Sequence, residues 1–474
     1  MMRFKSFLTI MMMGLVFWDH GSVFAVVDSL KSTENQADYL MILQEEFLPE
    51  LEPLIEHREL QGYRVEPIFM SMIQSEFQDA GDVADQIRAF VTYALENWQT
   101  PAPQYLLFIG DSGIIPPYLY YQQNEYVAVD AWYGISESDE DGFSDIAIGR
   151  FPVSNDAELS ILVEKTMRFE YQSLDNYTAD YLFISDYWTN SWDEVFERRT
   201  EQFVNEIIPS EASYLRLDLN PESEFIGDSL DFQEMIAQSP KYIVYFGHGI
   251  QNAWSHSSLL LTENVVDVIH NQFPFILTTY ACSQTFLGEG PQSIVEQMLL
   301  LPEGGAVATF APAGENFEMP GFEMVKLFHQ TSLANPQFTI GEVIQISKKQ
   351  LPHYQTNSRL FTLLGDPALK IPSSILAYSE ESAALCPIHF QVFPNYPNPF
   401  NASTTLLFTL PQPGEVQIQI YNVLGRIVYD NHEFYPNAGL NQTIWLAADL
   451  SSGVYIAKVS FGQEVHVQRM HLMK

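Results

Sequence analysis

The stretch KYIVYFGHG (Lys241–Gly249) decides the fold, together with a second stretch, FILTTYAC (Phe275–Cys282). Each begins as a short run of β-branched and aromatic residues, a pattern typical of a strand buried on both faces of a parallel sheet. The first run ends at a glycine-flanked His248, and the second ends at Cys282. Since working groups of open α/β sheets gather at the carboxyl ends of the strands, these two side chains are expected to share one crevice.

Strand and helix patterns alternate on both sides of these stretches, which predicts an α/β domain with a parallel sheet covered on both faces. Further strands are expected at Tyr105–Gly110, Asp145–Gly149, Tyr181–Ser185 and Ala306–Phe310. Helices are expected at Tyr39–Arg64, Val83–Trp98, after an Asn155 N-cap with Glu158 three residues on, and at Asp193–Ile208 and Gln292–Leu300. The pattern runs to about Pro372, as two units joined near residues 171–177.

The period of the sequence changes to two in the last part of the chain, where apolar and polar residues alternate as in half-buried antiparallel strands. Short strands are expected at Thr404–Leu410, Glu415–Asn422, Arg426–Tyr429, Gln442–Leu446, Val454–Ser460 and Glu464–Met470. Turn residues separate them, which predicts a small β-sandwich. We therefore divide the chain into a first α/β subdomain (26–172), a second (173–372), a linker (373–393) and a C-terminal sandwich (394–474).

The first 25 residues have the pattern of a signal peptide, with Arg3 and Lys5 before the apolar stretch Phe7–Trp18 and small residues near Ala25. No later run is long and apolar enough to span a membrane, so an exported chain without a transmembrane segment is expected. The formal net charge is −38, which argues against nucleic acid as a partner. From Pro394 onward five acidic residues nearly balance four basic ones, which supports a domain boundary there.

A thiol beside an imidazole is the arrangement of an activated cysteine nucleophile. The glycines around His248 allow close approach of a substrate, and the backbone N–H groups of Gly249 and Cys282 could bind an oxyanion. Two alternatives stay open on the residues alone. Cys282 could be an ordinary core cysteine, or it could form a disulfide with Cys386, the only other cysteine.

The order of several blocks resembles the gingipain family of cysteine peptidases over about residues 38–372. The blocks are Tyr105–Asp111 with Ile115–Pro116, Asp145–Pro152, Gly247–Gly249 with Trp254, Pro274–Cys282, Gly304–Ala308 and Leu364–Leu369. The resemblance implies a caspase-like α/β fold in two subdomains, with the active site in the second.

The resemblance also implies roles for single residues. Cys282 would be the nucleophile, His248 the general base and acid, and Asp186, at the end of an earlier strand, the acid that orients the histidine. Asp186 could instead cap a loop. Asp145 is a rival acid, but it begins its predicted strand.

Substrate contacts are expected from three further residues. Asp193 matches the position of a carboxylate in the specificity pocket of gingipains that cut after Arg or Lys, although an N-cap role is an alternative. Phe317 matches an apolar pocket wall, or packs on the core as a loop residue. Trp254 lies in the block that carries the histidine, and we predict that it contacts the substrate.

The family resemblance implies no cofactor and no metal for catalysis. The acidic run Ser136–Gly142 could hold a structural Ca²⁺, as in relatives, or could be a solvated loop.

The tail is similar to the C-terminal sorting domain of type IX secretion substrates. The similarity rests on the blocks Phe393–Asn401, Tyr421–Arg426 and Leu450–Tyr455. It implies passage through the periplasm to the outer-membrane surface or the medium, with the type IX machinery as a partner.

Together these patterns indicate a secreted cysteine endopeptidase that cleaves proteins or peptides through a thioester acyl-enzyme. Two rival functions remain open. One is a surface transpeptidase, comparable to a sortase, which would use the same Cys–His pair and pass the acyl group to an amine. The other is a catalytically silent binding protein.

Overall fold

The computed structural model describes residues 27–122, 125–135, 142–172, 174–187, 194–255, 259–285, 292–351, 355–372 and, with short gaps, 390–473. In this part of the chain the main element is a ten-stranded sheet in the order β2-β1-β3-β6-β15-β14-β13-β9-β7-β8. Its strands are β1 (Tyr39–Leu43), β2 (Val65–Phe69), β3 (Tyr105–Ile109), β6 (Ala147–Phe151), β7 (Ala179–Ser185), β8 (Tyr214–Asp218), β9 (Pro240–Phe246), β13 (Phe275–Thr279), β14 (Ala306–Pro312) and β15 (Phe361–Leu364).

Neighbouring strands are parallel except for β14 and β15, which pair antiparallel. Because β15 is parallel to β6, the five strands from β2 to β15 in the sheet order run opposite to the five from β14 to β8. Its strands are rich in fully buried residues because helices cover both faces. The helices are α1 (Leu48–Leu60), α2 (Met70–Glu76), α3 (Val83–Asn97), α4 (Asp156–Glu170), α5 (Glu194–Ile207), α6 (Ser229–Ile236), α7 (Val265–Val268), α8 (Ile294–Leu300), α9 (Glu318–Ala334), α10 (Ile340–Lys349) and α11 (Gln355–Leu360). Small additional strands are β4 (Tyr118–Gln122), β5 (Glu125–Val129), β10 (Gly249–Ile250), β11 (Ala253–Trp254) and β12 (Leu260–Leu261).

The predicted α/β class is confirmed, and most of the predicted elements lie within two or three residues of their expected bounds. The N-cap before α4 is also as predicted, because the Asn155 side chain accepts the backbone N–H of Glu158 at 3.1 Å. Strands β2, β8 and β15 were not predicted. Of these, β15 joins the two sequence halves into one sheet, because it lies between β6 and β14.

The helix expected over Tyr39–Arg64 is wrong in its first part. Tyr39–Leu43 is strand β1, and the helix begins only at Leu48. Leu40, Leu43 and Phe47 have helical spacing, but all five residues of β1 are buried. A strand with both faces buried shows no alternation, so its apolar residues can match a helical pattern by chance.

The two expected subdomains share the continuous sheet. The expected junction near residues 171–177 lies between α4 and β7. Strand β15, from the end of the second half, pairs with β6 of the first half through Leu364 and Arg150. The exact division at residue 172 stays a prediction.

The C-terminal region forms an antiparallel sandwich, as predicted. One sheet has the order β16-β17-β20 and the other β19-β18-β21-β22. The strands are β16 (Gln391–Val392), β17 (Ser403–Leu410), β18 (Gly414–Asn422), β19 (Ile427–Tyr435), β20 (Gly439–Leu446), β21 (Gly453–Phe461) and β22 (Glu464–Leu472). The alternating side chains of β18, Val416, Ile418 and Ile420, are buried in its core.

None of the helices in the described part of the chain has the length and hydropathy needed to cross a bilayer.

Candidate active site

The loops that carry His248 and Cys282 lie next to each other. Strands β9 and β13 are parallel neighbours, and their last pair joins Tyr245 to Thr279. The two loops continue in contact beyond this pair, because a Cβ built on Gly249 would lie 3.0 Å from the Cβ of Ala281. The residues that follow the histidine and precede the cysteine therefore touch.

The backbone of His248 is held from both sides. Its N–H donates to Oδ2 of Asp186 at 3.0 Å, and its C=O accepts the hydroxyl of Tyr245 at 2.6 Å. A Cβ at Gly247 would lie 2.4 Å from both Asp186 and Tyr245, so only glycine fits this turn without displacement. The imidazole packs edge-on against Phe196, with ring centroids 5.1 Å apart.

Asp186 is buried where β7 ends, beside β9. Burial raises the pKa of its carboxyl group, while hydrogen bonds from the Ser255 hydroxyl and from the backbone N–H groups of His248 and Tyr187 oppose that rise. The charge of His248 also favours the ionised carboxylate. Asp186 thus fixes the backbone of the histidine loop. Its role in orienting the ring stays a prediction.

The Cys282 side chain is a free, half-buried thiol. Burial raises its pKa, although the backbone N–H of Asn316, 3.4 Å from Sγ, opposes the rise. Two hydrogen bonds of its side-chain amide hold Asn316 in place. The amide donates to the C=O of Tyr280 at 3.2 Å and accepts from the side chain of Asn357 at 3.1 Å. The raised pKa favours the protonated thiol, so a base would assist its conversion to the nucleophilic thiolate. Cys386, its alternative disulfide partner, lies outside the described residues.

This pKa shift predicts the pH dependence of thiol alkylation in the unliganded protein. A raised pKa favours the protonated form, so the rate constant for alkylation by iodoacetamide should keep rising through about pH 9, where a free cysteine already approaches its plateau. The measurement is mass-resolved alkylation of Cys282 from about pH 6 to about pH 10. A plateau already reached near neutral pH would show a preformed thiolate and contradict this prediction.

The backbone N–H of Gly249 points away from its own hairpin. Strands β10 and β11 pair Gly249 with Trp254, and the neighbouring bond joins the Ser255 N–H to the His248 C=O at 3.0 Å. Hydrogen-bonded and non-bonded pairs alternate in an antiparallel ladder, so the Gly249–Trp254 pair is a non-bonded one. The Cys282 N–H lies within hydrogen-bonding reach of its own sulfur. The Gly249 N–H thus stays outside the hairpin hydrogen bonds, and the oxyanion role of both N–H groups stays a prediction.

The residues predicted to bind substrate have different placements. Phe317 precedes α9, directly after Asn316, and its side chain is 56% exposed, while its role as a pocket wall stays a prediction. Trp254 is fully buried, stacked on Tyr245 at 4.4 Å, so its ring has no surface to offer a substrate in this structure. Asp193 lies outside the described residues.

The acidic run Ser136–Gly142, which could hold a calcium ion or form a solvated loop, lies outside the described residues except for Gly142. Among the described residues there is no group of three or more His, Cys, Asp or Glu side chains placed to hold a metal ion.

Sequence reasoning missed two residues that hold the site, Asn316 and Gln284. Asn316 follows the end of β14, the strand beside β13, so its place at a third neighbouring strand end could have indicated it. Gln284 gave no comparable signal.

Ser255 and Ser283, one in each loop, adopt φ values of 63° and 53°, a left-handed conformation that non-glycine residues keep mainly where the surroundings enforce it.

Comparisons with known proteins give two family matches. The model of peptidase family C25 matches residues 32–372, and that of the secretion system C-terminal sorting domain matches residues 395–472. A comparison with curated proteins found no match.

Several solved structures have a similar fold. The Arg-specific cysteine proteinase gingipain R is 15% identical, with a TM-score of 0.58, covering 95% of this chain and 100% of that chain. A complex of the pro- and mature domains of RgpB from Porphyromonas gingivalis is 16% identical, with a TM-score of 0.59 and coverages of 92% and 100%. A structure described as a protease is 13% identical, with a TM-score of 0.61 and coverages of 94% and 98%. At these identities the likeness shows the fold alone.

Proposed function

This chain belongs to peptidase family C25, and on that premise we propose that it is an endopeptidase in which Cys282 is the nucleophile and His248 the general base and acid. The family and the C-terminal sorting domain make it a secreted cysteine peptidase, exported by type IX secretion to the cell surface or beyond. The observation that carries the proposal is the contact between the two loops beyond β9 and β13, within the region that the family model matches.

The first half of the reaction would form a thioester. His248 takes the proton of the Cys282 thiol, and Sγ attacks the carbonyl carbon of the scissile peptide bond. The carbonyl oxygen becomes an oxyanion that the N–H groups of Gly249 and Cys282 can stabilise. As the tetrahedral intermediate collapses, the C–N bond breaks, and His248 donates its proton to the leaving amine.

The second half would release the acyl group. His248 removes a proton from water, the resulting hydroxide attacks the thioester carbon, and the C–S bond breaks. The sulfur leaves as a thiolate and regains a proton from the imidazolium, and the product is a carboxylic acid. With an amine in place of water, the same steps would make a new amide bond, which is the transpeptidase alternative.

Substrate preference would depend on the region around the start of α9. Phe317 provides an exposed apolar surface directly beside the Asn316 backbone that contacts the thiol. Asp193, just before α5, would add a carboxylate that favours Arg or Lys before the scissile bond.

A peptide library tests this proposal. The chain without its predicted signal peptide would be assayed under reducing conditions on peptides varied at the residue before the scissile bond, with and without an added amine. Hydrolysis products support the endopeptidase, and a preference for Arg or Lys supports the pocket role of Asp193. Amide products formed with the added amine would favour the transpeptidase, and no reaction with either acceptor would favour the binding protein.

Replacing Asp186 with asparagine should reduce kcat/KM by about 10²-fold, because a small displacement of catalytic groups has effects of this size. The carboxylate accepts N–H groups from both His248 and Tyr187, whereas asparagine has one acceptor oxygen and would direct its NH₂ group at one of these donors. Steady-state kinetics would measure the loss of kcat/KM, and a thermal melt would show whether the variant is folded. Full activity in a folded variant would mean that Asp186 has no part in placing the histidine.

A further inference from the structure

A buried amide links the two loops of the site. The side chain of Gln284 is fully buried, two residues after the predicted nucleophile. Its Nε2 donates to the C=O of Ile250 and to the C=O of Cys282, both at 3.0 Å. Its Oε1 accepts the indole N–H of Trp254 at 2.6 Å. Ile250 and Trp254 belong to the hairpin that follows His248, so one side chain holds both loops.

We propose that Gln284 is a positioning residue that sets the approach of the His248 imidazole to the Cys282 thiol. This inference rests on the proposed function, in which the imidazole must reach the thiol proton. Sheet hydrogen bonds hold β9 and β13 together only as far as the Tyr245–Thr279 pair, and both functional side chains lie beyond it. Proton transfer requires heavy atoms within hydrogen-bonding distance, so the separation of the two loops matters to the reaction rate.

Two further contacts fit this role. A Cβ built on Gly249 would lie only 2.4 Å from Nε2 of Gln284, so the amide packs directly on the backbone of the residue after His248. The backbone N–H of Gln284 donates to the C=O of Pro312 at 2.9 Å, which ties the same residue to the end of β14. Gln284 therefore contacts the loop after β9, the loop after β13 and the last residue of β14.

The hydrogen bonds require an amide at this position. Both N–H groups of Nε2 meet carbonyl oxygens, and the oxygen meets a donor. Glutamate has nearly the same shape but has no donor when ionised, so Gln284→Glu would place a carboxylate against two carbonyl oxygens. The two loops should then separate while the strands stay paired.

Asn271, on the opposite edge of the sheet, provides a matched control. It is also buried, and its amide likewise donates to two carbonyl groups, those of Phe273 at 2.7 Å and Gly305 at 3.1 Å. Its oxygen accepts the N–H of Gly305 at 2.9 Å. Asn271 precedes β13, whereas Cys282 follows it. Asn271→Asp therefore makes the same chemical change in a similar environment away from the site.

The test compares Gln284→Glu, Asn271→Asp and His248→Ala with the unchanged protein. Acylation of Cys282 by p-nitrophenyl acetate at neutral pH, followed by nitrophenolate release, reports base-assisted attack by the thiol without needing the natural substrate. Peptide kinetics give kcat and KM separately, and thermal melting measures stability. We expect Gln284→Glu to lower the acylation rate and kcat by about 10²-fold, with little change in KM. We expect Asn271→Asp to lower the melting temperature without lowering kcat.

The results separate this inference from the proposed function. If His248→Ala reacts slowly while Gln284→Glu keeps the acylation rate of the unchanged protein, Gln284 has no positioning role. If Asn271→Asp loses as much kcat as Gln284→Glu, the effect is general destabilisation, and the inference is wrong. If His248→Ala is acylated as fast as the unchanged protein, the base role fails, and this inference fails with it. Should Gln284→Glu not fold, Gln284→Leu provides the same comparison, since it removes the two donors without adding charge.

Discussion

Replacing Cys282 with alanine is expected to reduce kcat/KM for peptide cleavage by at least about 10³-fold, because it removes the proposed nucleophile that forms the thioester. The thiol lies in the loop beyond β13, held by the N–H of Asn316 at 3.4 Å. Its removal deletes a few atoms from a half-buried position, so the fold should be retained. Steady-state kinetics on the best library peptide, with a thermal melt of each protein, measures the effect.

The chain offers a matched control, since it has one other cysteine. Cys386→Ala should retain full activity, because residue 386 lies in the predicted linker. His248→Ala should lose about as much activity as Cys282→Ala, and the double variant should lose no more than either single one, because the two groups act as a unit. Additive losses, or a Cys282→Ala variant that still cleaves peptides, would contradict the proposed roles.

The second large effect concerns stability. Arg58, on α1, is fully buried and donates to Asp366 from Nε at 3.0 Å and from Nη2 at 2.8 Å. It also donates to Glu170, at the end of α4, at 2.8 and 2.9 Å. Burial raises the pKa of Glu170, but the charges of Arg58 and His57 lower it by more, to well below the ordinary value. Arg58 thus compensates two buried carboxylates that lie far apart in the sequence.

Arg58→Ala is expected to destabilise the protein by about 3–5 kcal/mol at neutral pH, since it removes the cation that is shared by two buried carboxylates. Unpaired buried carboxylates bind protons more readily, so the loss should shrink as the pH falls and they become neutral. Denaturant unfolding at two pH values would measure both effects. The exposed Arg64, replaced in the same way, should change the free energy of unfolding by less than about 0.5 kcal/mol. A small and pH-independent loss for Arg58→Ala would contradict this account of the buried cluster.

The fold was predictable where local sequence and tertiary environment agree. Lys241–Phe246 and Phe275–Thr279 have the composition of buried strands and form β9 and β13. The alternation of residues 416–420 likewise predicted β18. The helix predicted over Tyr39–Leu43 was wrong because a short apolar run fits both a helix and a strand with two buried faces, and the spacing of its leucines matched a helix.

The site was predictable as far as the ends of the strands. His248 and Cys282 are the candidate catalytic groups that follow β9 and β13, and parallel strands bring such positions to one edge of the sheet. Asn316 follows the end of the neighbouring strand β14 and could have been found in the same way, whereas Gln284 could not. Each acts through contacts with residues about 30 positions away, and those contacts depend on the path of the loops. The burial of Trp254, which excludes the predicted contact with substrate, depends on the same packing.

Covalent labelling tests the central claim most directly. The chain without its signal peptide would be treated with a peptidyl chloromethyl ketone carrying the preferred residue, and the intact mass and the modified residue would be determined by mass spectrometry. The account predicts one adduct per chain, on Cys282, formed in parallel with the loss of peptidase activity and greatly slowed in His248→Ala. A protein that loses its activity with Cys282 unmodified, or keeps its activity with Cys282 fully labelled, would contradict the claim that this thiol is the nucleophile.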